Sequence, residues 1–249
     1  MEVIEKSEAF VDKGYDFVFD HTKIIVRRQD DGQYFYARTP ARFHSISIIN
    51  LEGLELIEIP SEEVWPVFNS QFTQAPQPLP DKAYIKRPSL LDFGDTPASH
   101  KLSDDVLDEV QVCEFLMQHP HPNVSQYLGC VVEDERITGL CFARYEMTLS
   151  EKVRSGVPFD RDACLRDIED GVKHLHQLGL VHNDLNPRNV MVGGDGNAVI
   201  IDFDSCKPEG QELGQKGGTF GWAEEGITHA TRGNDFYGIS KIREFLMKG

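Results

Sequence analysis

The chain has 249 residues, 40% of them hydrophobic and 27% charged, the proportions of an ordinary globular protein long enough for one two-lobed domain or two small ones. Its formal net charge of −16 excludes non-specific binding to nucleic acid or anionic membranes, which needs clustered Lys and Arg. No apolar run approaches the ~18 residues of a membrane span, the charged start is no secretory signal, and the scattered cysteines contain no CxxC pair, so a reducing cytoplasmic or nuclear setting is expected.

The first elements read as β-structure. Thr22–Arg28 and Gln33–Ala37 flank an Asp-Gly turn and predict a hairpin, while FHSISII (43–49) and LELIEI (54–59) have the pattern of half-buried strands. Prolines 76, 78, 80 and 88 exclude a helix and predict an extended connector. After Ser103 the period changes: Leu107, Val110, Cys113 and Met117 predict an amphipathic helix.

Strands are expected again around VSQYLGCVV and RITGLCFARY. Thr148 and Glu151 form a capping box for a short helix. The longest helix should begin at an Asp160 N-cap, carry Cys164, Leu165, Ile168, Val172 and Leu175 inward, and stop at Gly179. NVMV and AVIID, joined by GGDGN, predict a last hairpin. A β-rich half thus precedes an α-rich half.

The chemistry concentrates in VHNDLNPRNVMV and AVIIDFDSC. Asp184 and Asn189 share one loop, and the hairpin returns Asp202 to the same place. Two carboxylates and an amide suit Mg²⁺, which takes hard oxygen ligands and binds through one or two carboxylates plus substrate phosphates. A carboxylate left free of metal can accept the proton of an attacking hydroxyl.

His182, Asp184, Asn189, Asp202 and Phe203 resemble the H-R-D-x-x-x-x-N and D-F-G motifs of eukaryotic protein kinases. Ala83-Tyr84-Ile85-Lys86 is similar to the family's V-A-I-K strand, and the resemblance makes Lys86 the residue that holds the α- and β-phosphates. Glu109 is its expected partner, with Glu114 as runner-up. HPHPNV (119–124) resembles the turn after the family's regulatory helix. GTFGW (218–222) resembles the end of an activation segment, Glu225 taking the place of the A-P-E glutamate, and Asp235 the aspartate that anchors the catalytic loop. The similarity runs from about Ala83 to the C-terminus, and the overall wording is similar to short kinase-like proteins of filamentous fungi.

The resemblance implies an α+β, two-lobed protein-kinase-like fold. Residues 1–60 would be a β-rich extension or added layer, and 61–249 the kinase-like domain, its β-rich N-lobe reaching about residue 144 and a reduced α-rich C-lobe filling 145–249. A last helix with one apolar stripe, Ile239, Ile242 and Phe245/Leu246, fits a chain that ends there. The implied activity is ATP- and Mg²⁺-dependent phosphorylation of protein Ser, Thr or Tyr hydroxyls. Asp184 would be the base, and Lys86 and Arg188 further catalytic residues. Lys86, Glu109, Met191, Asn189 and Asp202 would hold the nucleotide, with Asn189 and Asp202 as metal ligands.

Four departures bear on this. No G-x-G-x-x-G precedes Lys86, so the phosphate cover is absent or rebuilt from residues near Ser61–Thr73. Asp204 occupies the glycine position of D-F-G, either adding an acidic contact or repelling phosphate. Asn183 replaces the arginine of H-R-D, which removes the cation for an activation-loop phosphate at Ser205 or Thr219. Asn186 stands where a phosphate-binding lysine is usual, leaving Arg188 to substitute. Two alternatives stay open: a pseudokinase acting as a binding or scaffold module, and a small-molecule kinase resembling the aminoglycoside and choline kinases.

Overall fold

The computed structural model describes residues 1–91, 93–95, 102–194, 196–214 and 218–248. It divides into two compact units: residues 1–68, 87–106 and 133–138 form the first, and 69–86, 107–132 and 139–249 the second.

The first unit is built on a four-stranded antiparallel sheet, β1 (Glu2–Asp12), β2 (Phe17–Arg27), β3 (Tyr34–Thr39) and β4 (Ile57–Ile59), in that order. The expected β2–β3 hairpin is present, and Gly32 at its turn has φ +73°, where a side chain would be strained. FHSISII does not form the expected strand. The Ser45 hydroxyl accepts the N–H of Ser47 and Ile49 N–H bonds back to Ile46 O, closing a 3₁₀ turn over Ile46–Ile48. LELIEI supplies only β4. A short helix, α1 (Ser61–Val64), follows. Ile25, Ile59, Val64, Trp65, Leu90 and Phe93 form one core cluster of this unit.

A three-stranded sheet, most of whose residues belong to the second unit, has the order β5 (Ala83–Lys86), β7 (Arg136–Ala143), β6 (Tyr127–Glu133). Helix α2 (Leu102–Met117) precedes β6 where the periodicity predicts a helix, but its buried apolar face is Val106, Val110, Cys113 and Leu116, with Met117 exposed. Then come β8 (Met147–Thr148), α3 (Leu149–Arg154), α4 (Arg161–Gln177), β9 (Leu180–Val181), β10 (Val190–Val192), β11 (Ala198–Ile200), β12 (Lys207–Pro208) and α5 (Arg232–Lys248).

Local chemistry sets these boundaries. Thr148 and Glu151 complete the reciprocal capping box of α3. Asp160 accepts the N–H of Ala163 at 2.8 Å, and Gly179, at φ +76°, ends α4. Cys164, Ile168, Val172 and Leu175 bury the inner face of α4; Ile239, Ile242 and Leu246 do the same for α5. The β10–β11 hairpin forms as expected, with Asp195 of its turn outside the described residues. The fold class is α+β. Among the described residues, no helix is long and apolar enough to cross a membrane.

Candidate active site

The loop between β9 and β10 carries His182, Asp184 and Asn189, and the β10–β11 register, Val190↔Ile200 to Val192↔Ala198, returns the chain beside it. Ile201 N–H donates to Asn189 O at 3.0 Å, so Asp202 emerges next to Asn189. His182 is fully buried. Its Nε2 donates to Ile201 O at 3.0 Å, and its ring meets Phe203 edge-on at 5.7 Å. Asp202 itself has φ +68°, a conformation that side-chain-bearing residues rarely adopt outside constrained sites.

Asp235, completely buried at the start of α5, anchors the loop from below. Its Oδ1 accepts Asn183 N–H at 2.8 Å; its Oδ2 accepts His182 N–H at 3.0 Å and His176 Nε2–H at 2.7 Å. Three donors around one carboxylate are what a buried charge requires. His176 and Asn234 escaped the sequence reading. The available signal for His176 was its place four residues after Val172 on the inward face of α4.

Asn183 does not face outward as a phosphate-binding arginine would. It is buried, its amide donates to Val181 O and Ser205 O at 2.9 Å each, and its Oδ1 accepts from Asn234. Asp184 is held on both sides: Thr219 N–H reaches Oδ1 at 2.7 Å and the Asn189 amide reaches Oδ2 at 2.8 Å. Each carboxylate oxygen keeps another lone pair.

Lys86 reaches this group from β5. Its Nζ lies 2.7 Å from Glu109 Oε1 and 2.5 Å from Asp202 Oδ1. Burial opposes its charge, but the carboxylates of Glu109, Asp202 and Asp204 outweigh burial and hold the ammonium well above its ordinary value. Burial pushes the Glu109 carboxyl up against the pull of Lys86. Glu109 is therefore the partner. Glu114, the runner-up, instead accepts the N–H and hydroxyl of Thr73 at 2.7 and 2.9 Å.

Gln74 pairs in parallel with Cys130 of β6, and Ala75 N–H donates to Cys130 O at 2.8 Å. The Thr73–Ala75 stretch thus lines the β6 edge, opposite β5. Among the described residues no strand pairs with the outer edge of β5.

The remaining expected residues are more loosely placed. Arg188 is exposed and its guanidinium has no carboxylate partner among the described residues; Met191 is half-buried on β10, opposite Thr148. Glu225 is exposed and forms no ion pair among the described residues. The metal pair fits Mg²⁺ by its donors: Asn189 turns its amide NH₂ to Asp184, leaving Oδ1 without a hydrogen bond among the described residues, and Asp202 keeps Oδ2 free of Lys86. Among the described residues no three His, Cys, Asp or Glu side chains form a metal cluster.

Comparison with known proteins agrees with this geometry. Residues 94–235, more than half of the chain, match the protein kinase domain model. The chain is 31% identical over 121 residues to sperm motility kinase 2B of Mus musculus, covering 46% of this chain and 24% of the relative. It is 30% identical over 107 residues to serine/threonine-protein kinase PSK1 of Saccharomyces cerevisiae, covering 39% of this chain and 8% of the relative. A probable LIM domain-containing serine/threonine-protein kinase of Dictyostelium discoideum is 27% identical over 116 residues, covering 41% and 11%. The matched segments span less than a quarter of these relatives' lengths. With Lys86 paired to Glu109 and Asp202 beside Asp184 and Asn189, and residues 94–235 matched by the domain model, the chain belongs to the protein kinase family.

Proposed function

We propose that the chain is an active phosphotransferase that uses Mg·ATP on protein Ser, Thr or Tyr hydroxyls. The observation that carries this reading is the Lys86 bridge to Glu109 and Asp202, set beside an Asp184 held by Thr219 and Asn189. Mg·ATP, when bound, supplies the phosphoryl group and neutralises its charge. Lys86 contacts the phosphates, while Asn189 Oδ1 and Asp202 Oδ2 offer oxygen ligands to the metal.

Asp184 orients the acceptor hydroxyl and takes its proton as the new O–P bond forms and the bond to the leaving ADP oxygen breaks. Arg188 is the cation available to the transferred group. The outer edge of β5, without a covering strand among the described residues, favours a second reading: a binding module in which the same residues hold a nucleotide weakly or not at all.

Thermal unfolding with ATP, with and without Mg²⁺, on wild type and Asp202→Asn separates the two. A ligand at 100 times its Kd stabilises by about 2.7 kcal/mol. A Mg²⁺-dependent shift lost in the variant, together with phosphate transfer abolished by Asp184→Asn, supports the enzyme. No shift at millimolar ATP supports the module.

A further inference from the structure

The first unit contains a cavity of about 300 Å³ that the phosphotransfer chemistry does not use. This is the lower end of the usual size range for small-ligand pockets, roughly 300–1,000 Å³. Tyr34 and Trp65 contribute an aromatic pair with ring centres 4.9 Å apart, and fully covered Leu90 lies in the same wall.

Arginines flank that pair. Arg27 sits over the Tyr34 ring at 5.8 Å. Arg136 donates Nη1 to Trp65 O at 2.8 Å. Neither guanidinium has a carboxylate partner among the described residues. Arg87, by contrast, is tied to Glu133 and to Thr138 O, both at 3.1 Å. Thr138 adds a buried hydroxyl with no hydrogen-bond partner among the described residues.

The lining carboxylates are mostly engaged. Asp31 pairs with Arg28, Glu133 with Arg87, and Glu5 accepts the Ser89 hydroxyl; Asp134 lies exposed in a turn. Two planar guanidinium forks beside two aromatic rings match a flat ring bearing an oxyanion, because the forks bond such groups in bidentate fashion and the rings stack on the flat body.

The geometry points to a second ligand site here, for an aryl phosphate, carried either on a peptide as phosphotyrosine or on a free small molecule. Its location gives a direct readout: the chain has two tryptophans, Trp65 in this cavity and Trp222 elsewhere. In the full chain carrying Trp222→Phe, fluorescence reports Trp65 alone. Titration with phenyl phosphate should change it saturably, and phenol or inorganic phosphate should bind at least ten-fold more weakly.

Arg27→Gln, whose side chain makes no hydrogen bond among the described residues, should leave the melting temperature unchanged and weaken phenyl phosphate at least ten-fold. Tighter binding of a phosphotyrosine tripeptide than of phenyl phosphate assigns the peptide-borne form; equal affinity assigns the free small molecule. No saturable change with either probe, or equal binding by wild type and Arg27→Gln, overturns the site.

Discussion

Asp235 Oδ1 accepts the N–H of Asn183 at 2.8 Å, fixing a residue whose φ is +66° at the start of the catalytic loop. The asparagine is suited to this conformation and bonds through both side-chain ends to Val181, Ser205 and Asn234. Asn183→Gly should lose these bonds at about 1 kcal/mol each. Asn183→Ala should lose the same bonds and a further ~1–2 kcal/mol, because alanine resists left-handed backbone. Urea denaturation of the two variants measures the difference; equal stabilities would show that the backbone is not held there.

An Asn183 sewn into the interior cannot bind an activation-segment phosphate. Thr219 meanwhile holds Asp184 through its backbone N–H, and among the described residues its hydroxyl only accepts from Asn186 at 3.3 Å. Thr219→Ala keeps the backbone bond, so phosphotransfer should remain within about three-fold of wild type, less than one lost hydrogen bond at ~1 kcal/mol would produce. A strict requirement for phosphate at Thr219 would defeat this expectation.

Glu109 and Glu114 lie five residues apart on one helix and do different work. Glu109→Gln removes the charge that positions Lys86, and a misplaced catalytic group costs on the order of 10²-fold in rate. Glu114→Gln retains an oxygen that can accept from Thr73 and should leave kcat/KM within a few-fold. Steady-state kinetics on both variants decide the assignment; the reverse ranking would restore Glu114 as the lysine's partner.

These pairings mark where the sequence was legible. The catalytic loop could be read because Asp184, Asn189 and Asp202 have fixed spacing on a loop and a tight hairpin, so local geometry brings them together. The choice of Glu109 over Glu114 needed the helix rotation and the destination of Thr73, both long-range facts. β1 passed unnoticed: its apolar residues, at 3, 4 and 9–11, do not alternate, and its pairing with β2 is interrupted by register shifts after Val3 and after Ala9. The 46–48 segment misled in the opposite sense, since Ser45 competes locally for the backbone N–H that a strand would use. The missing glycines left the phosphate cover either absent or rebuilt near Ser61–Thr73, and only the pairing of Gln74 with Cys130 reveals where the following connector goes.

All five cysteines are free and buried. Burial raises every one of their thiol pKa values, to about 11 for Cys130 and about 12 for Cys164. The native state therefore holds these protons after the unfolded chain, with thiols near pKa ~8.5, has released them. Protons bound in excess by the native state make stability fall as pH rises. The decline should begin near pH 8.5 and continue through the folded values, up to about 1.4 kcal/mol per pH unit for each fully buried thiol. Denaturation midpoints from pH 7 to 10.5, compared with Cys164→Ala, test the slope. A thiol reagent at pH 8 should label no cysteine before unfolding.

Gly233 and Gly238 sit on the same helix and should respond to alanine with opposite signs. Helix propensity alone favours either substitution by up to about 1 kcal/mol. At Gly233 the new Cβ would meet only Thr231 Oγ1 at 3.4 Å, an ordinary contact, so the propensity gain should survive. At Gly238 it would lie 2.7 Å from Leu185 Cβ and 2.8 Å from Leu185 O, in a buried seam beneath the catalytic loop. Overpacking of that kind costs about 1–3 kcal/mol, more than propensity returns. Because Leu185 follows Asp184 directly, relief of the clash must move the proposed base. Gly238→Ala should therefore lower both stability and kcat, while Gly233→Ala raises or preserves stability and leaves kcat alone. Equal behaviour of the two variants would mean that α5 shifts as a body and that the loop is not braced at Gly238.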